Sequence, residues 1–257
     1  MNLEEFIKKE ALLNKSDIFS FDFEGKKYWL KKARATKTNK IQKFFYNIFS
    51  FELLIPSLEK TPKDALVFET TKIEKFKKLG INVPNIVYKS EDFFVLEDCG
   101  RSVNRYFKNR NLKEDEFLIF VDKLLIELAK IHNSEDFHGG AQIRNFICKD
   151  EKVFAIDFEE SFEVNTTLET LQFRDFLLFL LSFTKLKKLS FEVNYNYIID
   201  KYIELTNNKN VIYKLKNIGK RLKFFIYLSQ NSFLKKFLGS DVINFFKLLK
   251  ILNSLEK

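Results

Sequence analysis

His138-Gly139-Gly140-Ala141-Gln142-Ile143-Arg144-Asn145, followed by Ile156-Asp157-Phe158-Glu159, is the stretch on which the reading of this chain turns. Two short apolar runs lie between the pieces, Phe146-Ile147-Cys148 and Val153-Phe154-Ala155-Ile156, and they read as the two strands of a hairpin. Such a hairpin sets the amide of Asn145, at the end of a loop, opposite the carboxylate of Asp157, at the end of a strand. Two hard oxygen donors so placed suit Mg²⁺, which takes one or two protein groups and completes its shell with water and phosphate oxygens. Asp-Phe-Glu alone is a common tripeptide. Its weight comes from the Asn twelve residues earlier that closes a His-Gly loop.

Upstream of this centre the spacing predicts a helix over about 113–132, with Phe117, Phe120, Val121, Leu124, Leu125 and Leu128 on one face. Downstream, from Leu168, the pattern is helical to the end. Toward the N-terminus, residues 17–32 predict a hairpin turned at Glu24-Gly25. A helix over 40–55 follows, with Phe44, Phe45, Ile48 and Phe49 as a core stripe, and a second helix over about 63–79 is opened by Thr61-Pro62 and closed by Gly80. Strands are predicted after Val83-Pro84 and over Phe93–Leu96, ending at Glu97-Asp98. Strands first and helices after make an α+β protein of two lobes. The expected division is a small antiparallel-sheet lobe over 1–97 and a larger, mainly helical lobe over 98–257.

These pieces, in this order, resemble the protein-kinase-like superfamily, whose catalytic loop reads HRDxxxxN and whose metal loop reads DFG. The likeness runs from about Phe19 to Phe183. It is nearest to the atypical bacterial branch of the lipopolysaccharide-core heptose and Kdo kinases (WaaP-like), with the HGDxxxxN kinases associated with tRNA modification close by. Tyr28-Trp29-Leu30-Lys31 resembles the strand with the ATP-binding lysine, and Glu69, eleven residues before Gly80, resembles the helix glutamate that orients it. Val95-Leu96-Glu97-Asp98 is similar to the hinge that meets adenine, and Leu128-Ala129-Lys130-Ile131-His132 to the segment ahead of the catalytic loop. Arg174-Asp175 is similar to the later helix whose aspartate braces that loop.

The resemblance implies ATP and Mg²⁺ as cofactors. Lys31 would neutralise α/β-phosphate charge, Glu69 would orient Lys31, Glu97 would stand at the adenine, Asn145 and Asp157 would hold the metal, and Arg144 would stabilise phosphate charge. It further implies a phosphotransferase whose acceptor is a sugar hydroxyl of lipopolysaccharide or a related envelope glycan, with a protein substrate as the alternative. Two departures qualify this. No GxGxxG is present, the hairpin offering only Gly25, and Gly140 stands where the family has its catalytic aspartate. Asp136, Gln142, Glu159 and Glu160 are the candidates for a replacement, and the sequence does not choose among them. Loss of chemistry at Gly140 would make the chain a pseudokinase, a nucleotide-binding or scaffolding protein.

Taken singly, Lys31 beside Lys32 reads as a solvated strand end, Glu69 as a helix-surface acid, His138 as a structural loop residue and His132 as a packed helix-end histidine. Their order and spacing give them a joint meaning. Of the 257 residues 46% are hydrophobic and 31% charged, an ordinary globular balance, and 31 Phe against 7 Gly and 3 Pro predict an aromatic core with short loops. The longest apolar run, Phe176–Leu181, is far short of the roughly 20 residues that span a bilayer. The opening Met1-Asn2-Leu3-Glu4-Glu5 is unlike a secretory signal, and Cys99 and Cys148 show no CxxC pairing, so a cytoplasmic location is expected. The net charge of +9 is matched by the segment Lys209–Lys257 alone, with eleven basic residues against two acids. Its amphipathic pattern, Leu222, Phe225, Ile226, Phe233 and Phe237, then Val242, Phe245, Phe246, Leu249 and Leu252, reads first as a Lys-rich face over a packed core. Peripheral contact with anionic lipid at the inner membrane is the alternative. No nucleic-acid motif accompanies the charge, and no nucleic-acid partner is expected.

Overall fold

The computed structural model describes residues 1–38, 42–43, 46–47, 51–109, 112–221 and 240–254. Helix α1 (Leu3–Leu13) leads into strands β1 (Ile18–Phe23) and β2 (Lys26–Lys32). Helix α2 (Pro62–Lys78) and strands β3 (Ile86–Lys89) and β4 (Phe93–Glu97) follow. Beyond them come β5 (Arg101–Ser102), α3 (Val103–Tyr106), α4 (Glu114–Asn133), β6 (Phe146–Lys149) and β7 (Lys152–Ala155). The chain continues through α5 (Leu168–Phe183), α6 (Tyr195–Thr206), α7 (Asn210–Arg221) and α8 (Ser240–Asn253). This is the α+β, two-lobed architecture that the sequence predicts. Of the helix expected over 40–55, the stripe Phe44, Phe45, Ile48 and Phe49 lies outside the described residues; residues 42–43 and 46–47 are helical, but Phe51 is extended and Glu52–Leu54 form a separate 3-10 turn, so the helix does not run on to 55.

The first sheet has the order β1-β2-β4-β3 with antiparallel neighbours throughout. Its hairpin turns where Glu24 and Gly25 both take left-handed backbone (φ 49° and 74°), the pair of conformations a two-residue turn needs to follow strand twist. Strand alternation then decides what each face does. Tyr28 and Leu30 point to one face and join Phe19, Phe21, Val95 and Ile7 of α1 in a small core. Lys31 points to the other face, toward α2, and is nonetheless buried. Helix α1, absent from the elements expected above, starts at a capping box of Asn2 and Glu5 (Glu5 N to Asn2 Oδ1 2.9 Å, Asn2 N to Glu5 Oε2 3.2 Å).

Helix α2 begins at Thr61, whose hydroxyl accepts from Asp64 N, and runs with Pro62 in its first turn. Its inner face carries Leu66, Glu69, Ile73 and Phe76 at helical spacing. Phe76, Ile73 and Leu66 belong to the main core, which continues through Phe94 of β4, Leu124, Leu125 and Leu128 of α4, Phe146, Phe158, and Phe176, Leu177, Phe179 and Leu180 of α5. One apolar core therefore crosses from the sheet lobe into the helical lobe. Burying a Phe or Leu side chain contributes about 1.5–3 kcal/mol each, so this shared core stabilises the packing of the sheet against the helices.

The second sheet, β5-β6-β7, is the hairpin predicted from Phe146 to Ile156, with the two-residue β5 added at its edge. The connection out of β4 is tight. A Cβ on Gly100 (φ 95°) would lie 2.1 Å from the Cys148 carbonyl oxygen, so only glycine lets the chain pass β6 there. At the C-terminal end, Leu248, Leu249 and Leu252 of α8 are buried in the main core, as the packed-core reading of that stretch requires. The apolar positions Leu222, Phe225, Ile226, Phe233 and Phe237 lie outside the described residues. Both cysteines are buried and free. Among the described residues, no helix is long and apolar enough to cross a membrane.

Candidate functional site

Lys31 is where the segments meet. Its ammonium lies 2.8 Å from Glu69 Oε1, 3.0 Å from Asp157 Oδ1 and 2.5 Å from Glu159 Oε1. These bonds join a strand, a helix 38 residues on and a loop 126 residues on. Burial opposes the lysine's charge, but the three carboxylates outweigh it and hold its pKa above the ordinary lysine value. Burial also pushes the Glu69 carboxyl up to about 7, against the pull of Lys31. For Asp157, burial acts upward and Lys31 downward, and the lysine prevails, keeping that carboxyl below its usual range. Removing one partner of such a buried ion pair costs about 3–5 kcal/mol, because the other charge is left without compensation. Arg34 adds a second cation at Glu159, at 2.8 Å.

Asp157 reaches Lys31 because its backbone turns left-handed (φ 70°) directly after β7. Asp tolerates this conformation better than most residues, through its short polar side chain. The same turn sends the next side chain the opposite way. Phe158 is fully buried, edge-on to Phe76 of α2 (5.0 Å between centroids) and 4.8 Å from the His138 ring. One turn thus ties together the helix that carries Glu69, the His-Gly-Gly loop and the carboxylate at Lys31.

The loop itself is buried, so its backbone groups need partners. His138 N and Gly139 N both donate to Asp175 of α5 (2.5 Å, and 3.0 and 3.1 Å to the two oxygens). The Asp175 carboxyl is buried against its charge, yet His132 and its other neighbours hold its pKa below the ordinary value. His132 Nε2 is 3.5 Å away, its Nδ1 2.7 Å from the Tyr202 hydroxyl. Gly140 N donates to His138 Nδ1 (3.2 Å), which puts the proton of the neutral ring on Nε2. Full burial depresses the His138 pKa to about 4. Gln142 N donates to Gly140 O, Asn145 N to Gln142 O and Ile156 N to Asn145 O. Asn145 Nδ2 donates to Gly140 O at 2.8 Å, and with its amide hydrogens turned to the loop its carbonyl oxygen is the group left for a cation.

The sequence-predicted residues thus divide. Lys31, Glu69 and Asp157 converge, and Asn145 is held beside the same turn by the β6–β7 pairing (Phe146 opposite Ala155). Asp175 braces the loop as expected, and His138 and His132 are packed structural histidines. Arg144 is exposed, its carbonyl taking the Ser102 hydroxyl at 3.1 Å. Glu97 ends β4 exposed, with Oε2 accepting from Asn85 Nδ2 at 2.6 Å. The neighbouring Asp98 takes the Trp29 indole N–H (2.7 Å) and Gly100 N. Sequence reasoning missed the pairing of Lys31 and Arg34 with Glu159. It also missed Arg174, which donates through Nη1 to Gly139 O and through Nη2 to Glu160 Oε2 at 2.8 Å. Its place beside Asp175 is the only signal that marks Arg174 in advance.

For a divalent cation the donor chemistry fits: a carboxylate and an amide oxygen, both hard, at the two ends of one hairpin. Glu69, Asp157 and Glu159 each place a carboxylate oxygen within 4.8 Å of the others, and Lys31 neutralises this cluster from its centre.

No protein-family model matches the chain. An uncharacterized protein of Haemophilus influenzae is 28% identical over 159 residues, spanning 62% of this chain and 60% of that protein. The solved structure of WaaP in complex with acyl carrier protein covers 86% of this chain and 89% of its own, with 12% identity and a TM-score of 0.52. The fold is protein-kinase-like.

Proposed function

We propose that this chain is an ATP- and Mg²⁺-dependent phosphotransferase acting on a sugar hydroxyl of lipopolysaccharide or a related envelope glycan. The observation that carries the reading is the convergence of the buried Lys31 and Glu69 with the partly exposed Asp157, at 2.8 and 3.0 Å from the ammonium, drawn from three distant segments. A structural salt bridge needs one acid. A lysine ringed by three acids in a cleft between sheet and helices is suited to exchange part of that ring for phosphate oxygens.

In this reading residues 1–97 form the nucleotide-covering lobe and 98–257 the lobe that carries the loops. Lys31, kept charged, faces the α/β-phosphates, and Glu69 keeps it from swinging away. Glu97 stands at the adenine edge. Asn145 and Asp157 hold Mg²⁺, which when bound neutralises phosphate charge, and the exposed Arg144 meets phosphate or acceptor at the mouth of the site. Phosphoryl transfer passes through a loose transition state, so positioning and charge do most of the work. The basic C-terminal region suits an anionic, membrane-held acceptor. The sequence resemblance to lipopolysaccharide-core kinases supports the acceptor class. A protein acceptor is the alternative within this reading.

Gly140 favours a second reading, a pseudokinase that binds nucleotide without catalysis. The test is transfer of the γ-phosphate of labelled ATP to purified envelope glycan. Label in the glycan that disappears with Asp157→Ala supports the kinase; nucleotide binding without label in glycan or protein supports the pseudokinase.

A further inference from the structure

We propose that Glu160 supplies the general base that Gly140 lacks. The inference rests on the phosphotransferase reading and chooses among the replacements that the sequence leaves open. Asp136 is committed elsewhere: Oδ1 accepts from Phe137 N at 2.7 Å, Oδ2 is 2.7 Å from Lys75, and Lys72 stands 3.6 Å away. Glu159 is taken by Lys31 and Arg34. Gln142 is an amide and has no basic oxygen for a proton.

Glu160 is positioned differently. A Cβ built on Gly140 would lie 4.0 Å from Glu160 Oε1 and 3.3 Å from Asn145 Nδ2. The carboxylate absent at position 140 is thus replaced, within side-chain reach, by one delivered from the segment after β7 that also carries Asp157. Two contacts hold it there. Gly139 (φ 95°) packs on Glu160, its virtual Cβ 3.1 Å from the Glu160 carbonyl oxygen and 3.2 Å from its Cβ, so the loop can approach only as glycine. The buried Arg174 clamps Gly139 O and Glu160 Oε2 together, fixing one carboxylate oxygen and aiming the other at the loop. The Glu160 side chain keeps 34% exposure, so an acceptor has access to it. A catalytic carboxylate one residue beyond the family's metal motif, paired with a glycine where the aspartate would be, is a coherent exchange of position.

In the step assigned to it, Glu160 Oε1 takes the proton of the acceptor hydroxyl as that oxygen bonds to the γ-phosphorus. The bond from the γ-phosphorus to the β–γ bridging oxygen breaks, and ADP leaves with that electron pair. With water as acceptor the products are ADP and inorganic phosphate, so the probe needs only ATP, Mg²⁺ and the full chain. ATP affinity of the wild type, measured first by calorimetry, tests the underlying reading: no binding sinks that reading and this inference with it. Given binding, Glu160→Gln, which keeps an acceptor but not a charge opposite the buried Arg174, is expected to leave ATP affinity unchanged while the melting temperature falls. It is expected to lower the rate of phosphate release by about 10²–10⁴-fold. Adding Gly140→Asp to Glu160→Gln is expected to restore rate, since Gly140 has no left-handed backbone and the new side chain need displace Asn145 Nδ2 only slightly. Phosphate release from Glu160→Gln at the wild-type rate, or ATP binding by the wild type with no release, overturns the assignment.

Discussion

Asp175→Asn isolates the bond set that holds the His-Gly-Gly loop in shape. The carboxylate is fully buried and accepts from two successive backbone amides, His138 N and Gly139 N, using both oxygens. An asparagine has nearly the same volume but only one acceptor oxygen, and its NH₂ meets an N–H that it cannot bond. With the asparagine oxygen at the Oδ2 position both amides keep an acceptor, so what is lost is the Gly139 N bond to Oδ1 and the charge behind the others. The expected loss is that of one hydrogen bond to a charged group, about 1.5–3 kcal/mol. Urea denaturation measures it, followed by far-UV circular dichroism and by Trp29 fluorescence, whose coincidence establishes a two-state transition. In a chain of this length each kcal/mol lowers Tm by about 2–4 °C. A loss below about 1 kcal/mol would refute the claim that Asp175 braces the loop.

Two further outcomes follow from the same geometry. The His138 pKa is depressed from 6.5 to about 4 by burial, so between those values the unfolded chain binds a proton that the folded chain does not. Stability is full above pH 6.5 and falls as pH drops to 4, by about 3 kcal/mol in total at 1.36 kcal/mol per unit; a His138→Gln variant whose melting temperature falls as steeply over that range would contradict this. Gly100→Ala drives a methyl to 2.1 Å from a backbone carbonyl and forces a left-handed alanine, so the variant is expected to be poorly folded or several kcal/mol less stable; a normal Cm in urea would contradict the close approach of the β4–β5 connection to β6.

How much of this was legible beforehand depends on the range of the interactions. Lys31, Glu69, Asn145, Asp157 and Asp175 sit in local patterns whose order along the chain carries information, and the structure brings Lys31, Glu69 and Asp157 into contact. The hairpin at Glu24-Gly25, the start of α2 at Thr61-Pro62 and the strands around Cys148 rest on turn and cap chemistry, which is local too. Glu159 at Lys31 and Arg174 across Gly139 and Glu160 are tertiary pairs with no sequence period behind them. Helix α1 buries only Ile7, so apart from the Asn2–Glu5 capping box it leaves little apolar period to read. β5 is two residues long, too short to leave a pattern, and exists because Gly100 lets the chain lie against β6.

The proposed nucleotide–metal site at the acids around Lys31 is open to calorimetry of ATP binding, with and without Mg²⁺, on the wild type and on Asp157→Ala. Binding that requires Mg²⁺ and is lost in Asp157→Ala is the expected result. Absence of binding by the wild type in every condition would contradict it and leave a kinase-shaped interaction protein.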